Sequence, residues 1–220
     1  MTDAPSRLLD SLPLFPLPRV VLFPHTLLPL HIFEPRYRAL VAAATQDDLT
    51  FGIPTIHQGD PSTGSPPAFH PVMGLARVVR QQPLPDGRSN IVVLGVGRAR
   101  LVEELDDPSV PYRSARCERL DDIRTPPEIR NGVDQTISDL RLAALQVVHG
   151  RADVTEEVER LLDGTRHPTE VVDVLAHMCL RCPEERLAYL NLLDFSHRAD
   201  HLLGVMTSIL YAQRSPVGES

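Results

Sequence analysis

Residues 12–41 read LPLFPLPRVVLFPHTLLPLHIFEPRYRALV, and this stretch decides the fold. It is apolar enough to suggest a membrane segment, but Pro13, Pro16, Pro18, Pro24 and Pro29 interrupt it and Arg19, His25 and His31 add polar groups. A spanning helix needs about 20 mostly apolar residues with its backbone pairing intact. The stretch therefore reads as short, kinked strands running into a helix that begins near Glu34-Pro35. Proline suits a first helical position, and Tyr37, Leu40, Val41 and Ala44 follow at helical spacing.

Outward from that stretch the pattern stays β. Apolar runs at 12–17, 20–23, 27–33, 49–54, 72–81, 90–96, 98–105 and 112–120 lie between turn residues, which predicts a small barrel or folded sheet. Residues 1–11 read as a loose leader and 57–71 as a turn-rich loop. Leu84-Pro85-Asp86-Gly87 reads as a hairpin turn. Near Pro126-Pro127 the period changes, and helices are predicted over 128–149, 154–163, 168–181, 184–194 and 196–213. The expected class is α+β: a β pseudo-barrel with one inserted helix (11–122), then a helical bundle (126–214).

All 22 basic residues are arginine, against 29 acids, for a net charge of −7. With no lysine there is no P-loop lysine, no Ser-Lys dyad and no Schiff-base nucleophile. The acidity sits mainly in the second half and argues against nucleic acid as a partner, since phosphate affinity needs a positive field. Three cysteines are too few for a disulfide framework. With no secretory signal pattern, a cytoplasmic location is expected.

Several groups of residues are candidates for chemistry. His177, Cys179 and Cys182 offer three ligands, but zinc usually takes four and these do not share a helical face, so buried free cysteines beside a surface His are expected. Asp194, His197 and His201 do share a face, yet Arg198 stands where a zincin needs Glu. Gly95-x-Gly97 lacks a third glycine at Arg100 and lies between strands, which points to a bulge rather than a nucleotide loop. Arg98 and Arg100 alternate onto one strand face and, with Arg77, Arg80, Arg113, Arg116 and Arg119, could form a basic strip. Glu103, Glu104, Asp106, Asp107 and Glu118 offset it. Phe23, Phe33 and Tyr37 read first as core. No catalytic residue, metal or cofactor is expected.

Residues 12–41, with V-L-F-P, L-P-L-x-I-F and E-P-R-Y in order, resemble the opening signature of the N-terminal substrate-binding domain family of the Lon proteases. Gly95–Arg100 with Leu101-Val102 is similar to the family's G-x-x-R strand, and 111–119 to the strand that ends its barrel. Residues 167–206 resemble its helices. The resemblance implies a PUA-like pseudo-barrel followed by a helical bundle. It also implies a non-catalytic module that takes unfolded or degron-bearing polypeptides, as an adaptor in quality control beside a separate protease or chaperone. Phe33, Arg36, Tyr37, Arg98 and Arg100, all within its motifs, are the expected peptide-contacting residues. The alternative, by analogy with other PUA-like barrels, is an RNA-binding module.

Overall fold

A computed structural model describes residues 7–57, 68–123, 130–149, 152–164 and 167–214. The chain divides into two compact units, 1–121 and 122–220. The predicted boundary prolines Pro126 and Pro127 lie outside the described residues, as does most of the 57–71 loop.

The first unit is built on β1 (Leu8–Pro13), β2 (Leu17–Pro18), β3 (Leu27–Ile32), α1 (Pro35–Gln46), β4 (Phe51–Ile53), β5 (Thr55–Ile56), β6 (Val72–Pro83), β7 (Ser89–Leu105) and β8 (Ser114–Leu120). The main sheet runs β1-β8-β7-β6-β4, with β3 paired to β7, and every ladder in it is antiparallel. It is not a closed barrel. After β1 the chain leaves β8 (the Leu14 N–H donates to Arg113 O, 2.8 Å) and crosses to β4 (the Phe15 N–H donates to Gly52 O, 2.8 Å). Among the described residues those sides are joined by an isolated bridge, Leu14 with Gly52, rather than by a ladder.

Three expectations need correction. The leader is already strand from Leu8, because Leu8, Leu9, Leu12 and Pro13 pair with β8. The run 20–23 is not a strand; it spans the sheet between two left-handed residues, Arg19 (φ 59°) and His25 (φ 63°). The runs 90–96 and 98–105 are one strand, β7, interrupted by a bulge. Leu75 faces Gly97 and Ala76 faces Gly95, so Val96 is the extra residue. The bulge turns β7 so that its first half pairs with β3 and its second with β8. The predicted turn joins β6 to β7, the Gly87 N–H donating to Leu84 O (3.0 Å) with Gly87 at φ +80°.

Two apolar clusters fill this unit. In one, α1 buries Tyr37, Leu40, Val41 and Ala44 against Phe15, Phe51, Ile91 and Val93. Each large side chain removed from water there contributes roughly 1.5–3 kcal/mol. In the other, Leu12, Leu14, Phe69 and Met73 pack on Leu75, Ala115 and Cys117. The crossing segment fits because of two glycines. A Cβ on Gly74 would lie 2.3 Å from Leu22 O, and one on Gly95 would lie 2.0 Å from Phe23 O.

The second unit holds α2 (Arg130–Val148), α3 (Ala152–Gly164), α4 (Pro168–Cys179), α5 (Pro183–Leu190) and α6 (Phe195–Arg214). α4 and α5 each open on a proline. α5 stops at Leu190, short of the predicted 194, because Asp194 caps the next helix. Its Oδ1 accepts from the backbone N–H groups of Ser196 (2.8 Å) and His197 (3.2 Å). The buried face of α4 is Val171, Val172, Asp173, Leu175 and Ala176. Helical spacing in the sequence predicts Val171, Val174, Leu175 and Met178 on one face; the observed face is rotated from it to bring in an aspartate.

That aspartate meets a fully buried arginine. Arg198, 0% exposed, donates from Nη1 to both oxygens of Asp173 (3.0 and 3.2 Å), and its Nη2 lies 2.7 Å from Asp122 Oδ2. The Tyr189 hydroxyl also donates to Asp173 Oδ1 (3.3 Å). Burial works against the Arg198 charge, but the two aspartates outweigh it and raise its pKa.

Four substitutions test these packing arguments. Gly95→Ala is expected to cost about 2–4 kcal/mol in urea denaturation, since backbone would have to move. Gly132→Ala, with nothing within 4 Å of the added Cβ, is expected to be neutral or stabilising. Arg198→Met, which leaves Asp173 buried without its cation, is expected to cost about 3–5 kcal/mol by helical circular dichroism in urea; adding Asp173→Leu should recover much of the loss.

Candidate functional site

β3 is the one strand of the main sheet that lies off its linear path, and among the described residues it pairs only with β7. The Gly95 N–H donates to Thr26 O (2.9 Å). Carried along the antiparallel register, this turns the backbone groups of Leu28, Leu30 and Ile32 toward β7 and those of Leu27, Pro29 and His31 outward. Pro29 thus sits where its missing N–H costs no ladder bond. The outer edge of β3 is therefore a row of acceptors and donors with one donor absent.

At the end of that edge, where β3 runs into α1, lies a cavity of about 300 Å³. Its walls come from Phe15–Pro18, from Leu30–Glu34, from Arg36 and Tyr37, and from Ile56. Phe33 is 59% exposed, so it is rim rather than core, against the first reading of it. Its ring stacks on His31 (centroids 6.1 Å apart), and His31 Nδ1 is 2.8 Å from Asn90 Oδ1. Tyr37 is buried and packs against Phe15 with ring centroids 4.1 Å apart and the rings tilted by 31°. Burial pushes the Tyr37 hydroxyl pKa up, opposed by the Arg36 guanidinium 4.5 Å from its ring centroid. Arg36 is itself held by Glu34 (2.8 Å). The cavity is an apolar slot with one exposed aromatic, a neutralised cation and an open strand edge beside it. It contains no nucleophile paired with a base.

Of the five expected peptide-contacting residues, this site brings together Phe33, Arg36 and Tyr37. Arg98 and Arg100 do not line it. Arg98 is only 2% exposed: it faces Gly74 across the β6–β7 ladder, on the face that the Leu22-Phe23 segment covers. Arg100 is exposed. The basic strip they could have begun is interrupted at Arg98, and the acids expected to offset it neutralise part of the rest. Arg113 pairs with Glu104 (Nε to Oε2, 2.8 Å) and lies over the Phe69 ring, Arg116 pairs with Glu103, and Arg119 approaches Asp121 (3.9 Å). The partly exposed edge of β3 was not legible beforehand, although Pro29 inside an apolar run was a signal for it.

The other candidates resolve into structural roles. Asp194 is a helix cap, His197 is exposed, and His201 lies against Tyr189 (ring centroids 6.1 Å apart). His177 is exposed and contacts Arg186 (3.1 Å), while Cys179 is half-buried. Cys182 is exposed, against the expectation, because it occupies the N-cap of α5. Burial pushes the thiols of Cys117 and Cys179 up to about 11. Among the described residues no three His, Cys, Asp or Glu side chains converge as for a metal ion, and no helix is long and apolar enough to cross a membrane.

This architecture, an open antiparallel sheet carrying one helix and followed by five more, defines a class of α+β domain known from solved structures. The N-terminal domain of a Lon protease from the Mycobacterium avium complex superposes with a TM-score of 0.66 at 15% identity, covering 90% of this chain and 98% of that one. A Lon N-terminal domain protein from Xanthomonas campestris superposes at 0.61 with 24% identity, covering 89% and 98%. The model of the ATP-dependent protease La (LON) substrate-binding domain matches residues 11–208, and the chain belongs to that family. Curated relatives include Lon protease 2 of Myxococcus xanthus (25% identical over 195 residues, 89% of this chain) and Lon protease 2 of Sorangium cellulosum (28% over 176 residues, 78%). The chain spans 23% and 21% of the lengths of those two relatives, and only the substrate-binding part is matched.

The thiol environments give a measurable ordering. In native protein at neutral pH, iodoacetamide should modify Cys182 first, with Cys117 protected until unfolding. Folding favours the neutral thiol at Cys117 and Cys179. Their contribution to stability is present below the unfolded pKa near 9 and lost as pH rises toward 11. The urea midpoint is expected to fall across that window, and less so in Cys117→Ala.

Proposed function

We propose that this chain is a non-catalytic polypeptide-recognition module that holds extended, unfolded segments along the outer edge of β3. The observation that carries this reading is the unpaired edge ending at the Phe33 slot. An extended chain adding to β3 gains main-chain hydrogen bonds at His31 and the flanking carbonyls, and every second side chain of it points the same way, so one can enter the slot. Backbone pairing reads no sequence, so affinity is low and selectivity broad. Arg36, paired to Glu34, orients the Tyr37 wall; Arg98, buried, stabilises the sheet rather than touching the ligand. Family membership supports a role in which the module presents polypeptides to a protease or chaperone in the cytoplasm.

The test is fluorescence anisotropy of the purified chain with labelled unfolded casein across a salt series, with a labelled single-stranded RNA in parallel. Casein binding should saturate and survive moderate salt. Phe33→Ser should weaken it about tenfold, which is about 1.4 kcal/mol, without moving the urea midpoint. Casein binding unchanged in Phe33→Ser, or RNA binding alone with steep salt dependence, would overturn the reading.

A further inference from the structure

The helical unit carries a second concavity that the β3 site does not use. It is about 1030 Å³, half-open, and lined from α2 to α6. Its walls are aliphatic, with Val147, Val148, Leu175 and Met178 among them. Along α6 the lining positions Gly204, Ser208 and Ala212 recur every four residues, so one face of that helix is stripped of bulk. A Cβ on Gly204 would meet nothing within 4 Å, so the space over it is open. One end is closed where Gln213 Nε2 donates to Val147 O (3.1 Å). From His201 to Gln213 the α6 wall runs about 18 Å at 1.5 Å per residue, the length of a three-turn helix.

Charge selects among occupants. The mouth carries Glu185 and Asp200 against one cation, Arg181, and neither acid is ion-paired among the described residues. Residues 122–220 hold 16 acids and 10 arginines, net −6. The helical unit of a second copy carries the same net negative charge; on α3 Arg160 pairs with Glu156 and Arg141 approaches Asp163, while Glu159 is exposed. Self-docking would therefore oppose like charges.

We propose that this groove docks an amphipathic helix of about three turns from a different protein, with an apolar face and basic flanks. The apolar face lies on the Gly204-Ser208-Ala212 wall, where the absence of bulk lets a helix approach closely, and the basic flanks meet Glu185 and Asp200. This interaction is independent of the β3 edge.

The probe is a fluorescein-labelled 14-residue peptide with leucines at i, i+3, i+4 and i+7 and arginines on its flanks. Its comparison peptide has the same apolar face and glutamate flanks. Anisotropy with the full chain should show saturable binding of the arginine peptide, at least tenfold tighter than the glutamate peptide. Gly204→Leu should weaken it at least tenfold while leaving the melting temperature unchanged or raised, because leucine is the better helix former. Ser208→Leu should act likewise and serves if Gly204→Leu does not fold. Glu185→Gln with Asp200→Asn should bring the two peptides within about threefold. Phe33→Ser should change nothing, so failure here and failure at the β3 edge are read separately. No saturable binding, equal binding of the two peptides, indifference to both wall substitutions, or loss in Phe33→Ser would each overturn the proposal. So would binding of laurate that Gly204→Leu blocks while the peptide stays unbound; the groove would then hold a small amphiphile.

Discussion

The backbone of Leu22 and Phe23 lies directly on the sheet, and much of the first unit follows from that contact. Gly74 and Gly95 are the two points where it touches, and at both a side chain would occupy the place of a carbonyl oxygen. Because the segment can lie flat, Leu22 and Phe23 are buried, and Arg98 is covered rather than presented. The same crossing delivers the chain to β3 on the far half of β7, beyond the bulge at Val96. Its position off the linear strand order leaves β3 with a single partner among the described residues, and that gives β3 an accessible edge.

Electrostatics in this chain work inward. Arginine is the only basic side chain, and its planar fork suits carboxylates better than an ammonium would. Arg113, Arg116 and Arg119 are held by Glu104, Glu103 and Asp121, and the bundle arginine Arg198 is sunk between Asp173 and Asp122. Arg77, Arg80 and Arg100 stay exposed on the sheet, but a net charge of −7 leaves little positive field for a phosphate backbone, whereas the apolar slot at Phe33 needs no charge. The buried Arg198 cluster is better understood as fixing how α4 and α6 meet than as a source of net stability, since desolvation offsets most of the attraction.

Local signals were read well where local chemistry decides the outcome. Pro35 after Glu34 begins α1, and the buried set Tyr37, Leu40, Val41 and Ala44 is the one that the helical period names. The Pro85-Asp86-Gly87 turn and the Gly95–Gly97 bulge likewise follow from what proline and glycine permit. The slot was half legible: Phe33, Arg36 and Tyr37 lie in one short motif, so any fold that begins α1 there keeps them near one another. Apolar character alone is ambiguous elsewhere in the chain. Val20–Phe23 is as strand-like as its neighbours, but the left-handed residues at Arg19 and His25 take it out of the ladder. Arg198 resembled an ordinary surface cation, and no periodicity announces a buried ion pair whose partners are 25 and 76 residues away.

The class of the fold, the helix starts, the turns and the want of lysine chemistry were properties of the chain alone, because proline geometry, glycine freedom and hydrophobic period act over a few residues. Which strand keeps an open edge, which arginine is buried, which aromatic is exposed and where the helical groove opens were decided only by tertiary structure. Those properties depend on what lies across from a residue in space, and for β3, Arg98, Phe33 and Gly204 the deciding neighbours, or the absence of one, come from distant parts of the sequence.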